Sequence, residues 1–398
     1  MLLPGAVAQG EMPHALSGDF KGRARTMVMA RSEVKRLREL LARQPKLLLC
    51  HRDADGLTSA ALFLRSFPAE TLALDSPHLD PATLALLRRK KPGLMVFLDL
   101  SIDQEWKALK QLEKDCHLLI IDHHLFERDL NSSRTLYLNP RLQRRHAYIS
   151  TSTLTYRLLK RLGKAPPGMA APTAGSKQPV APGLAALITQ PKRSVTPYAW
   201  IAAIGAIADY AWKEARDVRS AAAREGYPLT KSPRESRLGK AGNMISSAIT
   251  AAGDRGAKRA LRALLQARGV ADIENDPLLK KWHQGVEAAI REAVLSFGKK
   301  AERFPGLAVL ELRSGLSIAS QVSTILAERH PGLTIVVRRP EGSGWKISLR
   351  NQSGRVNLND AVRNACRGIG SGGGHEKAAG AFVTDWETFR VRLLKSLT

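Results

Sequence analysis

KLLLCHRDADGLTSAALFLRSF (46–67) decides the fold. Its opening KLLLC (46–50) is a short apolar run of the kind that becomes a buried strand. HRDADG (51–56) crowds two acids, a histidine and a glycine at the end of that strand, and LTSAALFLRSF (57–67) reads as a helix. The same alternation continues on both sides. A basic amphipathic helix at about 31–44 leads in, and TLAL (71–74) and LMVFL (94–98) read as strands with a helix at about 81–90 between them. A helix at about 103–115 is followed by the strands HLLII (117–121) and TLYL (135–138), then by a helix near 150–162. Strands alternating with helices predict an α/β fold with a doubly wound, mainly parallel sheet.

The rest of the chain divides around this unit. Residues 1–30 lack periodicity and are expected to be a flexible extension, ahead of a domain over 31–212. GKAPPGMAAPTAGSKQPVAPG (163–183) reads as a flexible insertion within that domain. Residues 213–300 are expected to form a helical connecting region, and 301–398 a smaller second α/β domain. Its expected strands are LAVLEL (307–312), LTIVV (333–337), WKISLR (345–350) and AGAFV (379–383), with helices at 318–330, about 357–366 and the C-terminus.

Composition narrows the function. The 398 residues carry 62 Lys+Arg against 36 Asp+Glu, a net charge of +26. An excess this large points to a polyanionic partner, nucleic acid being the commonest. Basic residues concentrate between Asp129 and Asp209, a stretch without a single carboxylate, and between Lys21 and Lys46. A hydrophobic fraction of 44% is ordinary for a globular protein. No apolar run is long enough to span a membrane, and the start MLLPGAVAQGEMPH is a poor signal peptide. Cys50, Cys116 and Cys366 are far apart and odd in number, which suits a reducing cytoplasm better than a disulfide framework.

In a chain so poor in acids, the acids at strand ends stand out. His51, Asp53 and Asp55 follow the first strand, Asp99 follows LMVFL, and Asp122-His123-His124 follows HLLII. The alternating spacing of the first three is expected to turn them toward one side of a looped segment, with Gly56 turning the chain into the next helix. Ligands of open parallel sheets collect at the carboxyl ends of the strands, so neighbouring strands would bring these groups together. Asp209 ends the apolar run IAAIGAIA and joins them as the first acid after Asp129. Crowded carboxylates repel, and a divalent cation is the usual remedy. Mixed Asp/His ligation suits Mn²⁺ or a similar ion better than Ca²⁺. Two such ions activate water against a phosphoester, so the residues themselves point to metal-assisted phosphoester hydrolysis.

HRDADG, FLDLS (97–101), IDHH (121–124) and IGAIAD (204–209) occur in the order found in the DHH superfamily of phosphoesterases, which the chain resembles. SLR (348–350) and GSGGGHEKAAGAFV (370–383) resemble the DHHA1 substrate-binding domain. The resemblance implies that Asp53 holds one Mn²⁺, Asp55 the other, and Asp99 bridges them, with His123 and Asp209 completing the shell. Mg²⁺ is the alternative ion. His51 would be a ligand or stand behind the ligands, and His124 would face the phosphate or the attacking hydroxide beside Asp122. Across a cleft, Arg350, Gly372, Gly373, Gly374 and His375 would grip phosphate, the glycines through a nest of backbone N–H groups.

The favoured expectation is a Mn²⁺-dependent exonuclease or phosphodiesterase of RecJ type. It would hydrolyse single-stranded nucleic acid or oligonucleotides to nucleoside monophosphates in the cytoplasm. Oligomeric state stays open. The rival is a small-substrate phosphatase acting on very short RNAs, 3′-phosphoadenosine 5′-phosphate, a cyclic dinucleotide or polyphosphate. A third reading, a non-catalytic nucleic-acid-binding relative, would be expected to have lost the ligands that this chain keeps.

Overall fold

The computed structural model describes residues 31–163, 198–228, 230–354 and 356–397. The expected N-terminal extension and all but the first residue of the expected Pro/Gly-rich insertion lie outside them.

The N-terminal part runs α1 (Arg31–Ala42), β1 (Lys46–His51), α2 (Ala54–Leu64), β2 (Glu70–Leu74), α3 (Pro81–Arg89), β3 (Leu94–Leu98), α4 (Trp106–Asp115), β4 (His117–Ile121), β5 (Thr135–Leu138) and α5 (Thr151–Leu162). The five strands are all parallel, in the order β2-β1-β3-β4-β5. Successive side chains of a strand point to opposite faces, and each face has its own core. Leu48, Cys50, Val96, Leu98, Leu119 and Ile121 pack against α2 and α5, while Leu47, Leu49, Met95, Phe97, Leu118 and Ile120 pack against α3 and α4. This is the doubly wound sheet that the apolar runs predict. In an order 2-1-3-4-5 the chain reverses direction of winding between β1 and β3, and the crevice at their carboxyl ends is where such sheets bind ligands.

Next come α6 (Ala199–Ala208), α7 (Arg216–Arg224), α8 (Arg237–Gln266), α9 (Val270–Glu274) and α10 (Pro277–Lys300). Helix α6 is apolar on every side and buried from Ala199 to Ile207, as its composition requires. Helix α8 breaks at Gly253, whose φ of 51° and ψ of −127° interrupt the helical ladder. Leu238, Ile245, Leu264 and Leu279 of this region share the core of α2 and α5, whereas Val286, Ile290 and Phe297 of α10 join the C-terminal core. The helical middle is therefore divided between two cores and has none of its own.

The C-terminal part contains β6 (Glu302–Phe304), β7 (Leu307–Glu311), α11 (Ala319–Arg329), β8 (Thr334–Glu341), β9 (Gly344–Asn351), α12 (Leu358–Ala365), β10 (Gly370–His375), β11 (Ala378–Val383) and α13 (Trp386–Leu397). Its sheet has the order β10-β11-β9-β8-β7-β6, with only β7 and β8 parallel. The glycine cluster differs from expectation. Gly370–His375 is an antiparallel edge strand, not a nest. A Cβ on Gly372 would lie 2.6 Å from Val362 Cγ1 and 2.9 Å from Cys366 Sγ, so α12 can pack on this strand only where side chains are missing. Among the described residues no helix is long and apolar enough to cross a membrane.

Candidate metal centre

Each strand-end residue is placed by one further rung of the sheet ladder. The Arg52 N–H donates to Leu74 O (2.7 Å), the Asp99 N–H to Ile121 O (3.0 Å) and the Asp122 N–H to Leu138 O (3.1 Å). Helix α2 begins earlier than its apolar pattern suggests, and this changes how the first motif works. Asp53 is the N-cap, its Oδ1 accepting from the Gly56 N–H at 2.8 Å, and Asp55 lies inside the first turn. The two acids converge through a helix N-terminus, not through alternation along an extended segment. A Cβ on Gly56 would sit 2.2 Å from the His51 carbonyl oxygen, so the glycine provides close packing against the strand end.

Asp55 is 2% exposed and is held by a second helix N-terminus. Its Oδ2 accepts from the Thr151 N–H (2.7 Å) and its Oδ1 from the Ser152 N–H (3.1 Å), the first two residues of α5. Free N–H groups and the positive end of a helix dipole suit a carboxylate there. Asp99, also 2% exposed, adopts φ 62°, a left-handed conformation that Asp tolerates better than bulky residues. Thr151 Oγ1 donates to its Oδ1 at 2.9 Å.

Around Asp99 the other groups close in. His51 Nδ1 lies 2.8 Å from Asp53 Oδ2 and 3.7 Å from Asp99 Oδ2. His123 Nε2 lies 3.3 Å from Asp99 Oδ1 and 3.6 Å from Asp209 Oδ2. Three overlapping sets, His51/Asp53/Asp99, Asp99/His123/His124 and Asp55/His123/Asp209, each offer ligand atoms within 4.8 Å of one another. Asp99 and His123 are each shared by two of the sets. His124 Nδ1 is bound to Asp122 Oδ1 at 2.7 Å, which fixes the orientation of the ring. Asp209 caps the C-terminus of α6, the negative end of a helix, where a carboxylate is unfavourable without a cation.

The electrostatics describe a site short of positive charge. Burial pushes Asp55 well above the usual carboxylate range, with Asp99 and Asp209 adding to it. Burial likewise lifts Asp209 to about 6. Burial opposes the charge on His51 and His123, but the carboxylates around them outweigh it and carry both up to about 10. Asp99, which burial would raise, is held well below its ordinary value by His123 and His51. His51 Nδ1 and Asp209 Oδ2 are buried and make no hydrogen bond of acceptable geometry, although carboxylate or imidazole atoms stand close by, and His123 Nδ1 is buried and unpaired. Close approach without hydrogen-bond alignment is what lone pairs directed at a common ion produce. The donor set of oxygen and imidazole nitrogen fits a divalent cation of the Mn²⁺ type.

The arrangement brings together every residue expected on the N-terminal side. Arg350 lies on β9 of the other unit, fastened to Ser320 Oγ (2.9 Å), Thr324 Oγ1 (3.2 Å) and Leu349 O (2.9 Å). Among the described residues no carboxylate pairs with it. Gly374 N–H is taken by Asn359 Oδ1 at 3.1 Å, and His375 is exposed at the end of β10. Sequence reasoning missed two supporting residues. Gly205 in α6 leaves room for Asp55, since a Cβ there would meet Asp55 Oδ1 at 2.5 Å and Thr58 Oγ1 at 2.4 Å. Tyr148 donates from its hydroxyl to Asp209 O (2.9 Å) and sets its ring edge against His123, centroids 5.6 Å apart.

A parallel sheet that carries an aspartate–histidine cluster at its switch point defines an α/β protein with a site suited to divalent cations. The family model described as DHH family, N-terminal domain, matches residues 47–187, and that of the DHHA1 domain matches 309–396. Together they span more than half of the chain, which belongs to the DHH superfamily of phosphoesterases and has a RecJ-like architecture. No curated protein sequence matches it. Its fold is similar to that of RecJ from Thermus thermophilus in complex with Mn²⁺, with TM-score 0.62 and 19% identity over 92% of this chain and 54% of that one. The chain thus spans about half the length of that RecJ. An exonuclease RecJ bound to manganese aligns with TM-score 0.61 and 18% identity over 92% of this chain and 94% of that one. CDC45 from Entamoeba histolytica aligns with TM-score 0.53 and 11% identity over 92% and 99%.

Proposed function

We propose that the chain is a Mn²⁺-dependent phosphodiesterase that hydrolyses single-stranded nucleic acid or oligonucleotides to nucleoside monophosphates. The observation that carries this reading is the cluster of His51, Asp53, Asp55, Asp99, His123 and Asp209, with its buried atoms left unpaired. These residues would hold two ions, which supply Lewis acidity toward phosphate oxygens and toward water. The chain's own residues do the rest. Two helix N-termini fix Asp53 and Asp55, so their oxygens stay in place without substrate. Asp122 keeps its hydrogen bond to His124 Nδ1, leaving Nε2 to hold a proton for a phosphate oxygen or a leaving group. Burial resists charge on His124, but the Asp122 carboxylate prevails and raises its pKa, which favours the donor form. Arg350, whose partners are neutral, keeps its charge for a phosphate of the substrate, while Gly372, Gly373, Gly374 and His375 lie on the edge strand β10, with β11 between them and Arg350.

A second reading, confined to very short substrates, has an observation in its favour. Arginines of the expected basic stretches are committed to backbone carbonyls. Arg36 donates to Thr135 O (2.8 Å), Arg38 to Leu162 O (3.0 Å), Arg134 to Glu113 O (3.0 Å) and Arg141 to His123 O (2.8 Å). These bonds hold the side chains against the fold without cancelling their charge, which leaves fewer freely moving cations to follow a long polymer. One assay separates the readings: Mn²⁺-supported hydrolysis of a labelled dinucleotide, of 20-mers of single-stranded DNA and RNA, and of 3′-phosphoadenosine 5′-phosphate. Degradation of the 20-mers with a strongly salt-dependent KM supports the first reading. Cleavage of the dinucleotide or the adenosine bisphosphate alone supports the second, and no cleavage of any substrate rejects both.

A further inference from the structure

Tyr210 directly follows Asp209, yet its side chain takes no part in the cluster. Its backbone lies at φ 57°, a conformation unfavourable for an aromatic residue, and the residue is 56% exposed. Trp200, at the start of α6, is 2% exposed. An aromatic ring turned out to solvent by a strained backbone, one residue from the reaction centre, is an unfavourable arrangement unless something covers it. Arg234, from the turn ahead of α8, stands over the ring with its guanidinium carbon 4.9 Å from the centroid, and its Nη1 donates to the phenolic oxygen at 2.7 Å. Trp212 lies beside it, centroids 5.9 Å apart.

We propose that Tyr210 and Arg234 form a stacking ledge for a nucleobase of the substrate. The ledge would select nucleotides over polyanions that lack bases, such as inorganic polyphosphate. The proposal rests on the phosphodiesterase reading above and narrows its substrate class. Bases stack on aromatic rings with little sequence preference because every base presents a π-face, and a guanidinium held over the ring strengthens the platform. Asp209 would place the ion-bound phosphate and Tyr210 the adjoining base, which ties the register of the substrate to a single turn of chain. Arg234 holds the ring from its hydroxyl end, so the ledge is set before a base arrives.

The test compares a hexathymidylate with a hexamer of abasic tetrahydrofuran phosphodiesters of equal charge, both hydrolysed with Mn²⁺ by the full chain. Tyr210→Leu is expected to raise KM for hexathymidylate roughly tenfold and to leave the abasic hexamer within about twofold, with kcat little changed on either. Tyr210→Phe, which keeps the ring, should stay within about threefold of the parent on both. An equal effect of Tyr210→Leu on the two hexamers would show that the residue merely supports Asp209 and would overturn the ledge, as would no effect on either. A hexamer carrying 2-aminopurine reports stacking without turnover. With EDTA present its emission should be quenched by the parent and by Tyr210→Phe but not by Tyr210→Leu. Should the parent cleave neither hexamer, the reading as a phosphodiesterase of single strands and oligonucleotides fails, while the quench still decides the ledge.

Discussion

Asp99 is the residue on which the site turns, because its two oxygens face different imidazoles. Asp99→Asn keeps the size and removes the charge, so we expect activity to fall roughly 10²-fold or more together with Mn²⁺ affinity, read by hydrolysis and by equilibrium dialysis. Asp209→Asn should separate function from stability. It removes a carboxylate from the negative end of α6, so the metal-free protein should gain about 0.3–1 kcal/mol in urea unfolding while Mn²⁺ stabilises the variant less than the parent. Lys46 gives a pH-dependent prediction away from the site. It is 4% exposed at the start of β1, and burial lowers its pKa from 10.5 to about 8. Between those values the unfolded chain binds more protons than the fold, so this group makes stability rise with pH from about 8 to about 10.5. Lys46→Met should be more stable than the parent at pH 7, by about 1–3 kcal/mol, and the difference should shrink toward pH 10.5. A constant difference across that range in thermal melts would contradict it.

At the scale of elements, helices deliver the acids to the strands' ends. Asp55 fits only because α6 presents no side chain at Gly205. Gly205→Ala should cost about 1–3 kcal/mol of stability through overpacking and weaken Mn²⁺ binding roughly 10–100-fold through displacement of Asp55, with an unchanged far-ultraviolet circular dichroism spectrum. Undiminished Mn²⁺ affinity in that variant would remove Gly205 from the account. Elements built from apolar runs were legible in the sequence: KLLLC, LMVFL and HLLII are strands because four or five consecutive apolar residues can be hidden only between two helical layers. The acids that end them were legible for the same reason, since a parallel sheet lines up its carboxyl ends. What escaped was whatever depends on a partner element. GSGGGH reads as a loop because glycine has no strand preference, and only the packing of α12 makes it β10. Ala54-Asp55-Gly56 reads as part of a turn until the Asp53 cap starts α2 there. Tyr210, which follows the buried apolar run, is exposed because a single left-handed residue turns the chain there.

On the scale of the whole molecule, two cores share the helices between them, and the cluster lies on the larger one. The charge of +26 argued for a polyanion from the sequence, and the structure shows part of that charge engaged with carbonyls within the fold. The residues proposed to meet a substrate are Arg350 on one unit and Tyr210 and Arg234 on the other. The central claim is that dispersed acids and imidazoles form a binuclear divalent-cation site. Its most direct test is the number of Mn²⁺ ions retained per chain after equilibrium dialysis, measured by elemental analysis for the parent and for Asp99→Asn. Two ions are expected in the parent, and at least one fewer in the variant. No bound Mn²⁺ in the parent, or the same number in both proteins, would contradict it.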